Sequence, residues 1–251
     1  MPSFNFIGTK IRCINYAQFR NFVENWFEKK NNVHIAVVNA YCTVLAHKNK
    51  YLSDIYSQAE LVVPDGRPFV IWMNIFGNQK VQQFDATNVL LKLIEYAKEI
   101  NYGFYFYGGS ESVLENMLFN LKEKYSHINI SGSYSPPFRE LSLEEKRDVI
   151  NKIKKSGARI ICVGLGTPKQ DKWILEHKKE FSGVMFIPCG AIFDFFGGRI
   201  KKAPAIVSYL GFEWLYRLFS KDFIRLFRRY TIDNIYFLFH FFLQKTGLNK
   251  Y

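Results

Sequence analysis

The chain has 251 residues, of which 48% are hydrophobic and 18% aromatic, and this composition excludes an intrinsically disordered protein. The length fits one large domain, or one domain with an appendage. The formal net charge of +12 indicates an anionic partner, and a nucleotide, a nucleic acid and an acidic lipid are the candidates.

Strands and helices are predicted to alternate along most of the chain, without an internal repeat. The predicted strands are 34–38, 60–63, 103–107, 129–134, 159–163 and 183–187, and the predicted helices are 40–47, 111–124, 143–156 and one starting at 168. This alternation predicts a Rossmann-like α/β fold, a doubly wound parallel sheet with helices on both faces.

Ligands of such sheets bind at the carboxyl ends of the strands. Asn39, Asp65 and the segments 108–110, 164–170 and 190–194 follow predicted strands. We therefore expect them to converge on one crevice.

Asp65 lies in a Pro-Asp-Gly sequence directly after a predicted strand. Asp-Gly is common turn chemistry, because glycine tolerates positive φ and aspartate bonds its own backbone. A carboxylate at a strand end is also suited to act as a general base. The two interpretations are compatible, and Asp85 and Asp194 are the fallback carboxylates.

A glycine-rich turn follows the strand 159–163. Thr167, Pro168 and Gln170 fit the N-cap, N1 and N3 positions of a capping box. Gly164 and Gly166 would equally let the backbone approach a phosphate at a helix N-terminus. Capping and phosphate binding both remain open here.

Three further strand-end features are weaker signals. Gly108 and Gly109 open a predicted helix, and Asn39 fits an ordinary turn as well as a binding residue. Asp194 lies among aromatic residues, where a carboxylate needs a polar partner or water.

The sequence lacks the usual metal-binding patterns. There is no Asp-x-Asp pair and no CxxC pair among the four cysteines, so we expect neither a metal nor another cofactor. Cys162 and Cys189 end apolar runs, as buried reduced thiols do, which favours a cytoplasmic location. No stretch reaches the roughly 18 uncharged apolar residues of a membrane span.

The composition changes after about residue 196. Beyond it, ten basic and three acidic residues lie among many aromatic ones. In a helix, Arg217, Lys221, Arg225 and Arg228 would share one face. We therefore predict a catalytic domain over 1–196 and a basic, aromatic helical appendage over 197–251 that binds an anionic membrane surface.

An ordered set of motifs resembles a known family. The set consists of Pro64-Asp-Gly66, Gly164-Leu-Gly-Thr-Pro-Lys-Gln170, Gly190-Ala-Ile-Phe-Asp194, Lys202-Ala-Pro204, Glu213-Trp-Leu-Tyr-Arg217 and Arg228-Arg-Tyr230. Together these motifs are similar to the WecG/TagA/CpsF family of bacterial glycosyltransferases, over roughly residues 30 to 230.

The resemblance implies an inverting, metal-independent transfer of N-acetylmannosamine or a related hexose. The donor would be a UDP-sugar and the acceptor a polyprenyl-diphosphate-linked sugar, at the cytoplasmic face of the membrane, in polysaccharide, capsule or teichoic acid synthesis. The implied base is Asp65. The implied substrate-binding residues are Asn39, Gln170, Arg217, Arg225 and Arg228.

The sequence departs from the family pattern at several positions. Val37 replaces a usual threonine two residues before Asn39. A family element, Arg-x-x-Gly-x-Asp, is matched by Lys80 and Asp85, with Gln83 at the glycine position. These differences bear on the donor sugar more than on the type of reaction.

Other classes of protein remain open at this stage. They are a non-catalytic, membrane-bound sugar-nucleotide-binding protein, a basic nucleic-acid-binding protein and a nicotinamide oxidoreductase. Nucleic acid is disfavoured as a partner because the tail's basic residues lie among Phe and Leu. The oxidoreductase is disfavoured because no G-x-G-x-x-G follows the first strand. An exposed aromatic tail also favours a homo-oligomer when the tail is off the membrane.

Overall fold

The computed structural model describes residues 1–77, 80–99, 101–199, 204, 207, 216, 227–229, 231–249 and 251. Contacts within the chain define two compact units. The first unit holds Met1–Phe19, Ala36–Asp85 and Lys202–Tyr251, and the second holds Arg20–Ile35 and Ala86–Lys201. Because these units are defined by contacts alone, the division into 1–196 and 197–251 stays a prediction.

The first unit begins with a two-stranded antiparallel hairpin. Its elements are β1 (Ser3–Phe6), β2 (Thr9–Arg12), α2 (Ala40–Lys48), α3 (Lys50–Ser57), β4 (Leu61–Pro64), α4 (Arg67–Phe76) and α10 (Ile232–Lys245). Helix α1 (Tyr16–Lys29) and strand β3 (Val33–Val38) have residues in both units.

An aromatic cluster holds the C-terminal helix α10 in the first unit. The Phe6 ring lies 4.3 Å from that of Phe69 and 5.2 Å from that of Phe241, between centroids. Phe237 lies 5.3 Å from Phe69 in the same way. Large buried rings dominate the energetics of packing, so α10 is part of the core of this unit.

The second unit alternates strands and helices as predicted. Its elements are α5 (Ala86–Ala97), β5 (Phe104–Gly108), α6 (Glu111–Lys124), β6 (Ile130–Tyr134), α7 (Leu143–Lys155), β7 (Ile160–Gly164), α8 (Lys169–His177), β8 (Met185–Pro188) and α9 (Gly190–Phe196). A 3₁₀ turn over Lys178–Glu180 follows α8.

The main sheet has six parallel strands in the order β4-β3-β8-β7-β5-β6, flanked by helices, so the predicted α/β fold is confirmed. Its central strands are continuous apolar runs, as expected for strands buried on both faces. Gly108 pairs with Gly164, and Val163 with Pro188. The register therefore brings the carboxyl ends of β5, β7 and β8 to one level.

All four cysteines are buried and outside any disulfide, as predicted for Cys162 and Cys189. Among the described helices, none is both long and apolar enough to cross a membrane.

Candidate active site

Two predicted site residues meet at the strand ends of the first unit. Asn39 is the N-cap of α2, and its Oδ1 accepts a hydrogen bond from the backbone N–H of Cys42 at 3.2 Å. That bond fixes the amide orientation, so its Nδ2 donates to Asp65 Oδ2 at 2.9 Å. The half-buried Asp65 donates its own backbone N–H to the Val38 carbonyl at 2.9 Å. The end of β3 therefore fixes the direction of the carboxylate after β4.

Gln83 also holds the Asp65 turn. Its Nε2 donates to the backbone carbonyl of Asp65 at 2.6 Å. A glycine, which the family element has at this position, could not make this bond. One departure from the family pattern therefore adds a contact to the candidate base.

The Asp65-Gly66 pair is not a turn that needs glycine's conformational freedom. Gly66 has a φ of −76° and is the N-cap of α4, which begins at Arg67. A Cβ at Gly66 would meet only Pro68 and Asn39, at ordinary van der Waals distances of 3.8 and 3.9 Å. The positive φ that Asp-Gly chemistry suggests is therefore absent.

Part of the basic tail packs on the first turns of α2. The guanidinium carbon of Arg229 lies 4.5 Å from the centroid of the Tyr41 ring, two residues after Asn39. Burial raises the pKa of the Tyr41 phenol, and the positive charges of Arg229 and Arg228 oppose that shift. Arg228 itself is exposed. Arg217 and Arg225 lie outside the described residues, so the predicted basic helix face stays a prediction.

In the second unit, the ends of β5 and β7 touch through glycines. Gly109 donates its backbone N–H to the Gly164 carbonyl at 3.3 Å, and Ser135 Oγ donates to the Gly109 carbonyl at 2.8 Å. Gly108 has a φ of +133°, and a Cβ there would lie 2.5 Å from the Gly164 backbone. Only glycine fits at this approach.

Phe193, on α9, fills the space beside these turns. A Cβ on Gly164 would lie 2.4 Å from the Phe193 ring, and one on Gly109 would lie 2.9 Å from it. Phe193 is fully buried. The side chain that shapes the turns is therefore apolar.

The predicted capping box at Thr167 is wrong. The N-cap of α8 is Pro168, without a side-chain capping bond, and the helix begins at Lys169. The Gln170 side chain does not reach back to the Thr167 backbone. Its Oε1 accepts from the backbone N–H groups of Gly166 and Gly190, both at 3.1 Å, and its Nε2 donates to Thr167 Oγ1 at 3.3 Å. A tertiary contact has replaced the local one.

Asp194 does have the polar partner that its aromatic surroundings require. Its Oδ1 pairs with Arg199 Nε at 2.7 Å. The carboxylate is still partly exposed, with 20% of the side chain accessible, so it can meet a further polar group.

The sequence analysis did not name Gln83, Phe193 and Arg229, which contact predicted site residues or their neighbours. Gln83 could have been found from its place in the family element, since a glutamine at a glycine position adds a side chain that can form hydrogen bonds there. Arg229 could have been found because it directly follows Arg228, a predicted site residue. Nothing in the sequence indicates that the Phe193 ring lies against glycines from two other turns.

The parallel sheet flanked by helices places the protein in the class of open α/β folds, whose ligands generally bind at the carboxyl ends of the strands. Comparison with known families then identifies the particular kind of enzyme. The model of the glycosyl transferase WecG/TagA/CpsF family matches residues 4–251, and the chain belongs to that family. It is a glycosyltransferase, as the motif order indicated.

Two relatives are named N-acetylglucosaminyldiphosphoundecaprenol N-acetyl-beta-D-mannosaminyltransferase. The one from Bacillus subtilis strain 168 is 26% identical over 205 residues, which cover 81% of this chain and 78% of the relative. The one from Staphylococcus aureus strain NCTC 8325 is 25% identical over 190 residues, covering 76% and 73%.

Proposed function

We propose that the protein transfers N-acetylmannosamine, or a related hexose, from a UDP-sugar to a polyprenyl-diphosphate-linked N-acetylglucosamine. The names of the relatives support the acceptor and the transferred sugar. The observation that carries the proposal is Asp65, oriented by the Asn39 amide at a strand end. The product would enter cell-surface polysaccharide or teichoic acid synthesis.

In this mechanism Asp65 is the general base. The acceptor hydroxyl attacks the anomeric carbon of the donor, its proton passes to the Asp65 carboxylate, and the bond from that carbon to the UDP oxygen breaks. Attack opposite the leaving group inverts the anomeric configuration. A positioned base of this kind contributes about 10²–10⁴-fold to the rate.

The glycine turns of the second unit suit the donor nucleotide. Helix α6 starts at Glu111 after Gly108, Gly109 and Ser110, and the Ser110 side chain does not cap it. First-turn N–H groups without a capping side chain attract negative groups. Gly164, Gly166 and Thr167 offer a second backbone-lined turn, and the partly exposed Asp194 would accept hydrogen bonds from the ribose or uracil.

The arginines of the tail would stabilise the departing diphosphate without a metal. Arginine binds such groups through two parallel hydrogen bonds. The exposed Arg228 is free of a described carboxylate partner, and Arg217 and Arg225 are the other candidates. Charge stabilisation of this kind replaces the role that a divalent cation has in other transferases.

Peripheral binding to the cytoplasmic membrane face is supported by the proposed lipid-linked acceptor and by an exposed apolar surface. Helix α10 exposes residues spaced i, i+3, i+4 and i+7, which share one face. They are Ile235, Leu238, Phe239 and Phe242. Helix α4 exposes Ile71, Ile75 and Phe76, and its Trp72 ring contacts Phe241 of α10 at 4.9 Å. Apolar surface beside basic residues such as Lys245 is typical of interfacial binding.

The test is the Asp65→Asn variant in a transfer assay with radiolabelled UDP-N-acetylmannosamine and a polyprenyl-diphosphate-N-acetylglucosamine acceptor. Turnover should fall about 10²–10⁴-fold, because the amide cannot accept the proton. Asp54→Asn is the matched control, since the Asp54 carboxylate makes a surface ion pair with Lys50. Turnover near the wild-type rate in Asp65→Asn would exclude Asp65 as the base.

A wild-type chain that binds UDP but turns over no lipid acceptor would instead favour the non-catalytic sugar-nucleotide-binding protein.

A further inference from the structure

The Gln170 amide lies at a junction of two strand-end loops in the second unit. The side chain comes from the first turn of α8 and the residue is only 6% exposed. Its Oε1 accepts one hydrogen bond from the loop after β7, at Gly166, and one from the loop after β8, at Gly190. A carbonyl oxygen has two lone pairs. Both are therefore used inside the protein.

One of these bonds satisfies a helix end that lacks its own cap. Gly190 is the first residue of α9, and the N-cap Cys189 makes no side-chain capping bond. The first N–H groups of a helix have no partner within it. Gln170 supplies the missing acceptor from another helix.

Residue 190 lies in close contact with the Gln170 amide and with the turn glycine Gly166. A Cβ there would lie 2.9 Å from Gln170 Oε1 and 3.2 Å from the Gly166 Cα. The first distance is shorter than real Cβ contacts. The glutamine, the turn glycine and the first residue of α9 thus form one close contact.

Helix α9, which this contact holds, carries the groups that shape the other turns. Its Phe193 ring packs against Gly109 after β5 and Gly164 after β7, and Asp194 follows Phe193. A shift of α9 would therefore change the space beside both glycine turns and displace the Asp194 carboxylate at the same time.

We propose that Gln170 is a positioning residue, which fixes α9 and the loop after β7 through its amide oxygen and does not bind the nucleotide with that oxygen. This inference rests on the proposed nucleotide site of the second unit, and it changes the role of a residue for which the family resemblance implied substrate binding. Gln170 acts through Gly166 and Gly190.

The test compares Gln170→Met with Gln170→Glu in the full chain. Methionine has a similar length and cannot accept the two backbone bonds, whereas a carboxylate can accept both and can also accept from the Thr167 hydroxyl. Gln58→Met, at an exposed position on the first unit, controls for the substitution itself.

The first measurement is amide hydrogen exchange in protein labelled with ¹⁵N-glycine, which gives signals from 16 glycines. In Gln170→Met, the Gly166 and Gly190 amides should exchange about tenfold faster, as for a lost buried hydrogen bond. In Gln170→Glu they should stay protected. Unchanged exchange of the Gly166 and Gly190 amides in Gln170→Met would show that Gln170 does not hold these loops, and the proposal would be wrong. Because this readout needs no ligand, it remains decisive even if the wild-type chain does not bind UDP, a result that would count against the proposed function alone.

The second measurement is the Kd for UDP. Gln170→Met should weaken UDP binding by about tenfold, and Gln170→Glu should weaken it less. If Gln170→Glu binds UDP as poorly as Gln170→Met while its two glycine amides stay protected, the amide contacts the nucleotide directly and the proposal is wrong.

Discussion

Two aspartates, one in each unit, show how differently the molecule treats a carboxyl group placed soon after a parallel strand. Asp65, after β4, is half-buried and receives a hydrogen bond from Asn39. Asp171, in the first turn of α8 after β7, is 2% exposed, and its Oδ2 has no hydrogen-bond partner among the described residues. Burial raises the pKa of the Asp171 carboxyl to about 7. Desolvation outweighs the helix N-terminus, which favours the charged form by at most about 2 kcal/mol.

The contrast extends to the amides beside these carboxyls. Asn39 orients a neighbouring side chain, whereas Gln170 orients backbone groups. In the first unit the amide holds a carboxylate at a strand end. In the second unit the amide accepts hydrogen bonds from the loops after β7 and β8. We conclude that the surroundings of each carboxyl and amide group, and not its residue type, determine its role.

The largest expected effect concerns Asp171 and pH. The pKa in the folded state lies above the ordinary 3.8, so the folded protein holds this proton more tightly than the unfolded chain. The stabilisation is complete below about pH 4 and is lost as the pH rises to about 7, on the order of 4 kcal/mol in total. Asp171→Asn, which resembles the neutral acid, should therefore be more stable than wild type at pH 8 but not at pH 4.

Urea denaturation at both pH values measures this difference, and the exposed Asp148→Asn on α7 is the control. Equal pH dependence in wild type and Asp171→Asn would mean that the Asp171 carboxyl is solvated.

The next effect separates capping from orientation at Asn39. Asn39→Ser keeps a good N-cap for α2, so the free energy of unfolding should change by less than about 1 kcal/mol. It loses the amide that holds Asp65, and turnover should fall by about 10²-fold, the scale of a misplaced catalytic group. Transfer assays and thermal unfolding measure the two effects.

Asn49→Ser is a matched control, because Asn49 caps α3 in the same way through the Leu52 N–H. Turnover within threefold of wild type in Asn39→Ser would show that Asp65 does not need the amide.

A smaller effect compares the glycines of the two units. Gly164→Ala should destabilise the protein by about 1–3 kcal/mol, because the new methyl group meets the Phe193 ring. Gly66→Ala, after Asp65, should cost less than about 1 kcal/mol, the loss of a glycine N-cap, since its φ is negative and a Cβ there meets its neighbours at ordinary van der Waals distances. Denaturant titration compares them. Adding Phe193→Leu should recover part of the Gly164→Ala loss, and no recovery would point to backbone strain instead.

The smallest effect concerns the exposed aromatic rings. Phe239→Ser on α10 should reduce co-sedimentation with anionic vesicles about three- to tenfold, as for partial burial of one ring. Phe119→Ser, equally exposed on α6 of the second unit, should leave it unchanged. Equal losses in both variants would argue against a specific membrane surface on the first unit.

Several elements were missed although the sequence carried a signal for them. Phe19, Val23 and Trp26 are buried and spaced i, i+4 and i+7, which predicts the helix α1. The hairpin of β1 and β2 is harder to predict, because its strands have four residues each and Ile7 in its turn has a positive φ. Helices α3, α4, α5 and α9 were not predicted either.

The sequence by itself determined the alternation of strands and helices, the residues that follow each strand and the family, because hydrophobic periodicity and turn residues act over a few positions. Only the tertiary structure decided that Asn39 meets Asp65 and that Gln170 meets Gly190. These pairs are 26 and 20 residues apart, and they meet because β3 neighbours β4 and β7 neighbours β8. Strand order is a property of the packed sheet. Where it brings a distant backbone group into a better position for a hydrogen bond, as Gly190 for Gln170, the local capping bond does not form.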